Sequence, residues 1–174
     1  MRGVCLAVVV ALAVPLAAWG QAMSPMGQPP VTSAAETAHY KLTLTIGASE
    51  KMYSKDEAAR IHPTSGEVMV KGTMASMGMG GMAGMTASIR HLELHVVDRA
   101  TGKVVRDATV SITVTNEATR KTAAVPVAVM YGVKEGPADW HYGNNVELPP
   151  GRYTVVAVVN GERAVFHVTV PGAM

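Results

Sequence analysis

The sequence predicts an all-β protein, an immunoglobulin-like antiparallel β-sandwich of seven to eight strands. Three observations predict it. Runs of alternating apolar and polar residues recur along the chain, as in LTLTI from Leu42 and ERAVFHVTV from Glu162, and a period of two marks a strand with one buried face. Turn signals such as Thr101-Gly102, Pro150-Gly151 and Asn160-Gly161 separate these runs at regular spacing. Only SKDEAARIHP, around Asp56, hints at helix, as one turn or a loop closed by Pro63.

The first segment stands apart from this pattern. Residues 1–22 run from Arg2 through an apolar stretch, Val4 to Ala18, to the small residues Gly20 and Ala22. That order is the signature of a secretory signal peptide, here expected to be cut after Ala22. The stretch falls short of the ~20 residues of a membrane-spanning helix. Residues 23–37, small, polar and proline-bearing, read as a flexible tether. A single β-sandwich domain is then expected over 38–174, in the periplasm or outside the cell, with no transmembrane segment after signal cleavage.

Within that domain Leu42, Leu44 and Ile46 alternate with threonines, and Val68 and Val70 share one side of GEVMVKG. A Met/Gly-rich loop follows at 74–85, with five methionines and four glycines in twelve residues. Next comes SIRHLELHVVD, in which Ile89, His91, Glu93 and His95 fall on one parity and Leu92, Leu94 and Val96 on the other. Val110, Ile112 and Val114 mark a further strand, and TAAVPVAVMYG another, its Pro126 pointing to an edge or bulge. KEGPADWHYGNN is a loop, and the last two strands flank the Asn160-Gly161 hairpin turn.

Composition excludes several functions. The chain carries 15 Lys and Arg against 13 Asp and Glu, and Arg2 leaves with the signal; so balanced a surface offers no broad basic face for nucleic acid. The only cysteine, Cys5, lies in the signal, which removes disulfides and thiolate metal sites from the mature chain. No nucleophile and base stand at a readable spacing, and there is no phosphate-binding glycine loop or cofactor motif. The protein is therefore expected not to be an enzyme.

Two constellations carry chemistry. His91, Glu93 and His95 form a polar row along one strand face, opposite the core-facing leucines, and are expected on the solvent or interface side. Successive members stand ~7 Å apart, too far for one ion to take all three on a straight strand. A solvated strand face and a metal-binding row are the two readings. His141 lies between Trp140 and Tyr142, downstream of Met130; it is either a structural histidine bonded to backbone or a ligand. His39, opening the first strand, is a further neighbour to consider. Imidazole suits Cu, Fe, Zn and Ni, a thioether biases toward Cu(I), and a carboxylate draws toward Fe(II) or Mn(II). The methionine loop has two readings as well, Cu(I) capture or adaptable packing.

HLELHV, Met130, GPADWHYGNNVEL and PGRYTVVAVVNG together resemble the periplasmic iron-transport protein family, over roughly Ser88 to Val170. The resemblance implies an exported sandwich that binds copper or a similar ion and serves ferrous-iron uptake with an inner-membrane metal permease, commonly as a homodimer with the metal near the interface. It implies His91, Glu93, Met130 and His141 as metal ligands, with His95 standing for the family's second strand histidine. The function expected is capture of copper and/or iron(II) in support of iron uptake. A periplasmic copper chaperone or tolerance protein, and an exported structural or adhesion sandwich without metal, are the alternatives.

Overall fold

The computed structural model describes residues 29–72 and 88–172. The expected signal peptide, residues 23–28 of the expected tether and the Met/Gly-rich loop lie outside the described residues. Among those described are eleven strands: β1 (Val31–Glu36), β2 (Tyr40–Ala48), β3 (Met52–Ser54), β4 (Glu67–Lys71), β5 (Ile89–Asp98), β6 (Val110–Asn116), β7 (Thr122–Val125), β8 (Ala128–Gly132), β9 (His141–Glu147), β10 (Gly151–Val159) and β11 (Glu162–Val170). One short helix, α1 (Lys55–Ile61), and a 3-10 turn over Gly136–Asp139 complete the chain. The count exceeds the expected seven to eight because β1, β3 and β9 carry little apolar alternation, β9 starting inside the expected loop KEGPADWHYGNN, and because TAAVPVAVMYG is two strands, β7 and β8, in different sheets on either side of Pro126.

The protein is mostly β, in two sheets. The larger has the order β1-β2-β5-β9-β8-β4-β3 and the smaller β11-β10-β6-β7. Leu42, Leu44, Leu92, Leu94 and Val96 of the first sheet pack in one buried cluster with Ile112, Val155, Ala157 and Phe166 of the second. All neighbours are antiparallel except β3 and β4, which run parallel on either side of α1. That helix starts where the Ser54 hydroxyl accepts the Glu57 N–H at 3.1 Å, a side-chain N-cap. It ends at His62, whose φ of 48° takes the left-handed conformation before Pro63.

Two expectations are corrected. Val31–Glu36, placed in the tether, is a strand paired with β2 along its whole length, from Val31 opposite Ile46 to Glu36 opposite Lys41. Its small side chains hide it from hydrophobic patterning, yet Val31 and Ala35 pack on the core. The polar row of β5 is largely covered and does not lie open on a solvent face: His91 is 0% exposed, and Glu93 and His95 are half-buried.

The reason for that burial lies in connectivity. Only four Cα steps join Ala48, ending β2, to Met52, beginning β3, a reach of at most about 15 Å. Five strand spacings separate β2 from β3 in the sheet, about 24 Å if it were flat. The sheet must therefore curl, and residues 49–51 cross its outer face as a strap. The Glu50 N–H donates to Asn145 Oδ1 at 3.1 Å, and the Lys51 carbonyl accepts the Glu67 N–H at 2.7 Å. The face away from the sandwich core becomes a second, polar interior.

Candidate metal centre

Residues directly opposite in an antiparallel pair share a face, so register alone assembles this interior. Asn145 stands opposite His91 and Gly143 opposite Glu93. One step further along the same register, His141 comes beside His95, their ring centroids 5.4 Å apart. Met130 on β8 faces His141, and on β4 Met69 faces Met130 and Glu67 faces Gly132. His91, Met130 and His141 are wholly buried, and Glu67 is 6% exposed.

Hydrogen bonds fix which nitrogens point inward. His91 Nδ1 lies 3.0 Å from Asn145 Oδ1, and His141 Nδ1 lies 2.8 Å from the Asp139 carbonyl oxygen. Both partners only accept, so each Nδ1 carries the proton and each Nε2 presents a lone pair. Those two Nε2 atoms and Glu67 Oε2 are buried with no hydrogen-bond partner. His141 Nε2 is 3.4 Å from Glu67 Oε2, and the His91 and His141 rings stand 5.8 Å apart, nearly perpendicular. Orphaned buried polar atoms are costly, and these three lie close enough together that they could hold a metal ion.

The potential ligand atoms of Glu67, His91 and His141 lie within 4.8 Å of one another, and so do those of Glu93, His95 and His141. Two atoms bound at ~2.1 Å to one ion are at most about 4.2 Å apart, so either group needs only a sub-ångström closure. The strand row is thus divided between two groups that share His141, in keeping with the spacing expected along β5. His95 Nε2 lies 3.5 Å from Glu93 Oε2 and 3.7 Å from Asp139 Oδ1.

Charge divides the same way. Burial, reinforced by the carboxylates of Glu93, Asp139, Glu50 and Glu135, pushes Glu67 up to about 9. Burial lowers His91 and brings His141 down to about 3. At neutral pH the first group therefore holds two neutral imidazoles and a protonated carboxyl. In the second group burial is the largest single influence and opposes ionisation, but the His95–Glu93 hydrogen bond and the surrounding charges together outweigh it: the neighbouring histidines bring Glu93 down to about 2, and Glu93 and Asp139 raise His95. Neutral imidazoles are the form that ligates a metal, and each is oriented through its other nitrogen, as metal-binding histidines commonly are.

Of the residues singled out in the sequence, the fold gathers His91, Glu93, His95 and His141 in these two groups and sets Met130 across from His141. His39 goes elsewhere: its ring pairs with Glu162. Sequence reasoning missed Glu67, Asn145 and Asp139. Glu67 left one trace, an acid on the parity opposite Val68 and Val70 in a short strand; Asp139 left another, an acid two residues before His141.

No family model matches the chain and no curated protein matches it. Solved structures do. The fold is similar to that of FetP from uropathogenic Escherichia coli strain F11, at 14% identity and a TM-score of 0.52, over 82% of this chain and 95% of that one. A copper-bound variant of the same FetP matches at 13% identity and a TM-score of 0.53, over 82% and 92%. The copper-reconstituted P19 protein from Campylobacter jejuni matches at 11% identity and a TM-score of 0.54, over 83% and 97%. At such identities the likeness is one of fold, and it agrees with the resemblance read from the residues.

Proposed function

We propose that this chain is a periplasmic, non-catalytic metal-binding protein that captures copper and/or ferrous iron and supports iron uptake by an inner-membrane permease. The observation that carries the reading is the convergence of His91 Nε2, His141 Nε2 and Glu67 Oε2, three buried ligand atoms without partners. Glu93, His95 and Met130 complete the donor set, and a homodimer is part of the reading. A bound ion would be cargo: imidazole and thioether hold copper, while the carboxylates admit iron(II). Support comes from the fold shared with FetP and with P19, which have copper-bound structures, and from the resemblance to the iron-transport family. The immunoglobulin-like reading of the sandwich, export through residues 1–22 and a single domain, now begun at β1, belong to the same proposal.

A copper chaperone is the second reading, favoured by the buried thioether of Met130 opposite His141. Among the described residues no helix is long and apolar enough to cross a membrane. Calorimetric titration of the mature protein with Cu(II), Cu(I) and Fe(II), beside a His91→Ala/His141→Ala variant, tests both. Equal affinity in the two proteins for every ion rejects both readings. Histidine-dependent Fe(II) binding supports the first; where copper alone binds, impaired iron uptake on loss of the protein supports the first and impaired copper tolerance the second.

A further inference from the structure

The described residues contain three methionines, Met52, Met69 and Met130, and all three meet in one small cluster with Ala128. The main core of the sandwich contains none. Methionine used merely to fill gaps would serve either interior; here it is confined to the face that carries the histidines and buried acids. Position sharpens the point. Met69 faces Met130, and Met130 faces His141, which stands beside His95. Two thioethers and two imidazoles thus form a row across four adjacent strands, β4, β8, β9 and β5, each step about 5 Å.

The outer end of this row borders a cleft. Met69 lines a cleft of about 380 Å³ with Ser54, Lys55, Asp56, Val70 and Gly72. The pairing of β4 with β8 shifts register just after Met69, the kind of bulge that re-aims a side chain. Gly72 follows with a φ of +138°, and a Cβ there would stand 3.2 Å from Met69 Sδ. Glycine there keeps a side chain from crowding that sulfur, and Met69, 8% exposed, borders the cleft. His141, third in the row, is fully buried.

We infer that Met69 and Met130, flanked by Met52, are a thioether inlet for a soft monovalent ion, Cu(I), leading from the cleft to His141. Thioethers select Cu(I) over harder divalent ions, and binding there changes no oxidation state. The destination rests on the reading of His141 as a ligand; the thioether cluster does not.

The test uses mature protein labelled with ¹³C at the methionine methyls and one equivalent of Ag(I), a redox-inert ion of the same charge and softness. The methyl signals of Met69 and Met130 are expected to shift in the wild type and equally in His91→Ala/His141→Ala. No shift of Met69 in either protein overturns the inlet, even if the histidines still bind Cu(II). A persistent shift, with Cu(II) affinity unaffected by loss of the histidines, supports the thioether site while the proposed metal centre fails. In Met52→Leu/Met69→Leu, which keeps volume and apolarity, Cu(I) loading of the inner site should slow on the order of tenfold with Cu(II) affinity unchanged. An unchanged Cu(I) loading rate overturns the inlet as well.

Discussion

The side-chain oxygen of Asn145 decides which nitrogen His91 offers. It accepts from His91 Nδ1 at 3.0 Å and from the backbone N–H of Glu50 at 3.1 Å, while Asn145 Nδ2 donates to the Glu50 carbonyl at 2.7 Å. One amide thus holds both the imidazole and the strap that covers it. Asn145→Leu should lower Cu(II) affinity ~10–100-fold, the usual cost of losing an outer-shell partner of a metal-binding histidine. It should also speed hydrogen exchange at the Glu50 amide. An affinity within twofold of wild type would show that His91 needs no such orientation.

His141 belongs to both potential ligand groups, whereas His91 and His95 each belong to one. His141→Ala should therefore cost more than either other histidine, with a loss beyond the ~100-fold upper range of second-shell changes. His95→Ala should spare the group of Glu67, His91 and His141 and lose about tenfold or less. Trp140, next to His141, gives an optical readout of titration. Equal losses for His95→Ala and His141→Ala would contradict the sharing.

The metal-free protein should show an unusual alkaline limb in its stability. Glu67 is raised from 4.5 to about 9 on folding, so between those values the folded form keeps a proton that the unfolded chain has released. Stability then falls as pH rises through that window, by at most about 1.4 kcal/mol per pH unit. His141 acts in the opposite sense: its value drops from 6.5 to about 3, and stability is lost as pH falls through that range. Urea unfolding of the apo protein from pH 7 to 9 should show the decline, and Glu67→Gln should flatten it. The same slope in the variant would assign the limb to another group.

A Cβ at Gly143 would stand 1.7 Å from the carbonyl oxygen of Leu92, so β9 can lie against β5 only with glycine there. Gly143→Ala should cost about 3 kcal/mol or more, roughly 6–12 °C in Tm for a domain of this size. Metal affinity should fall with it, because the pairing that seats His141 beside His95 is the one disturbed. An unchanged Tm would refute so close an approach of the two strands.

Much of the centre was legible in one strand. The parity of His91, Glu93 and His95 against Leu92, Leu94 and Val96 stated which residues share a face, and the spacing along β5 accords with the row's division between two groups that share His141. What parity left undetermined is what covers a face. Glu67 arrives from a strand three places away in the sheet, and its role depends on a curl enforced by the short link from Ala48 to Met52. Asn145 and Asp139 act through hydrogen bonds to His91 and His141, which leave no periodic trace. β1 escaped because a strand of Ser, Thr and Ala at an edge needs only backbone pairing and two apolar contacts.

The curl of the large sheet gives β5 two interiors to satisfy, and its sequence is accordingly two messages interleaved. From His91 to Val96 the even positions are written for an apolar core and the odd positions for a polar one. An ordinary half-exposed strand that slips by one residue exposes its leucines to water. Here a slip would drive two histidines and a glutamate into the sandwich core and three aliphatic side chains among buried carboxyl groups. A single-residue insertion or deletion in β5 therefore has no partly tolerable outcome: both interiors fail together, and the strand's alignment is policed from either side.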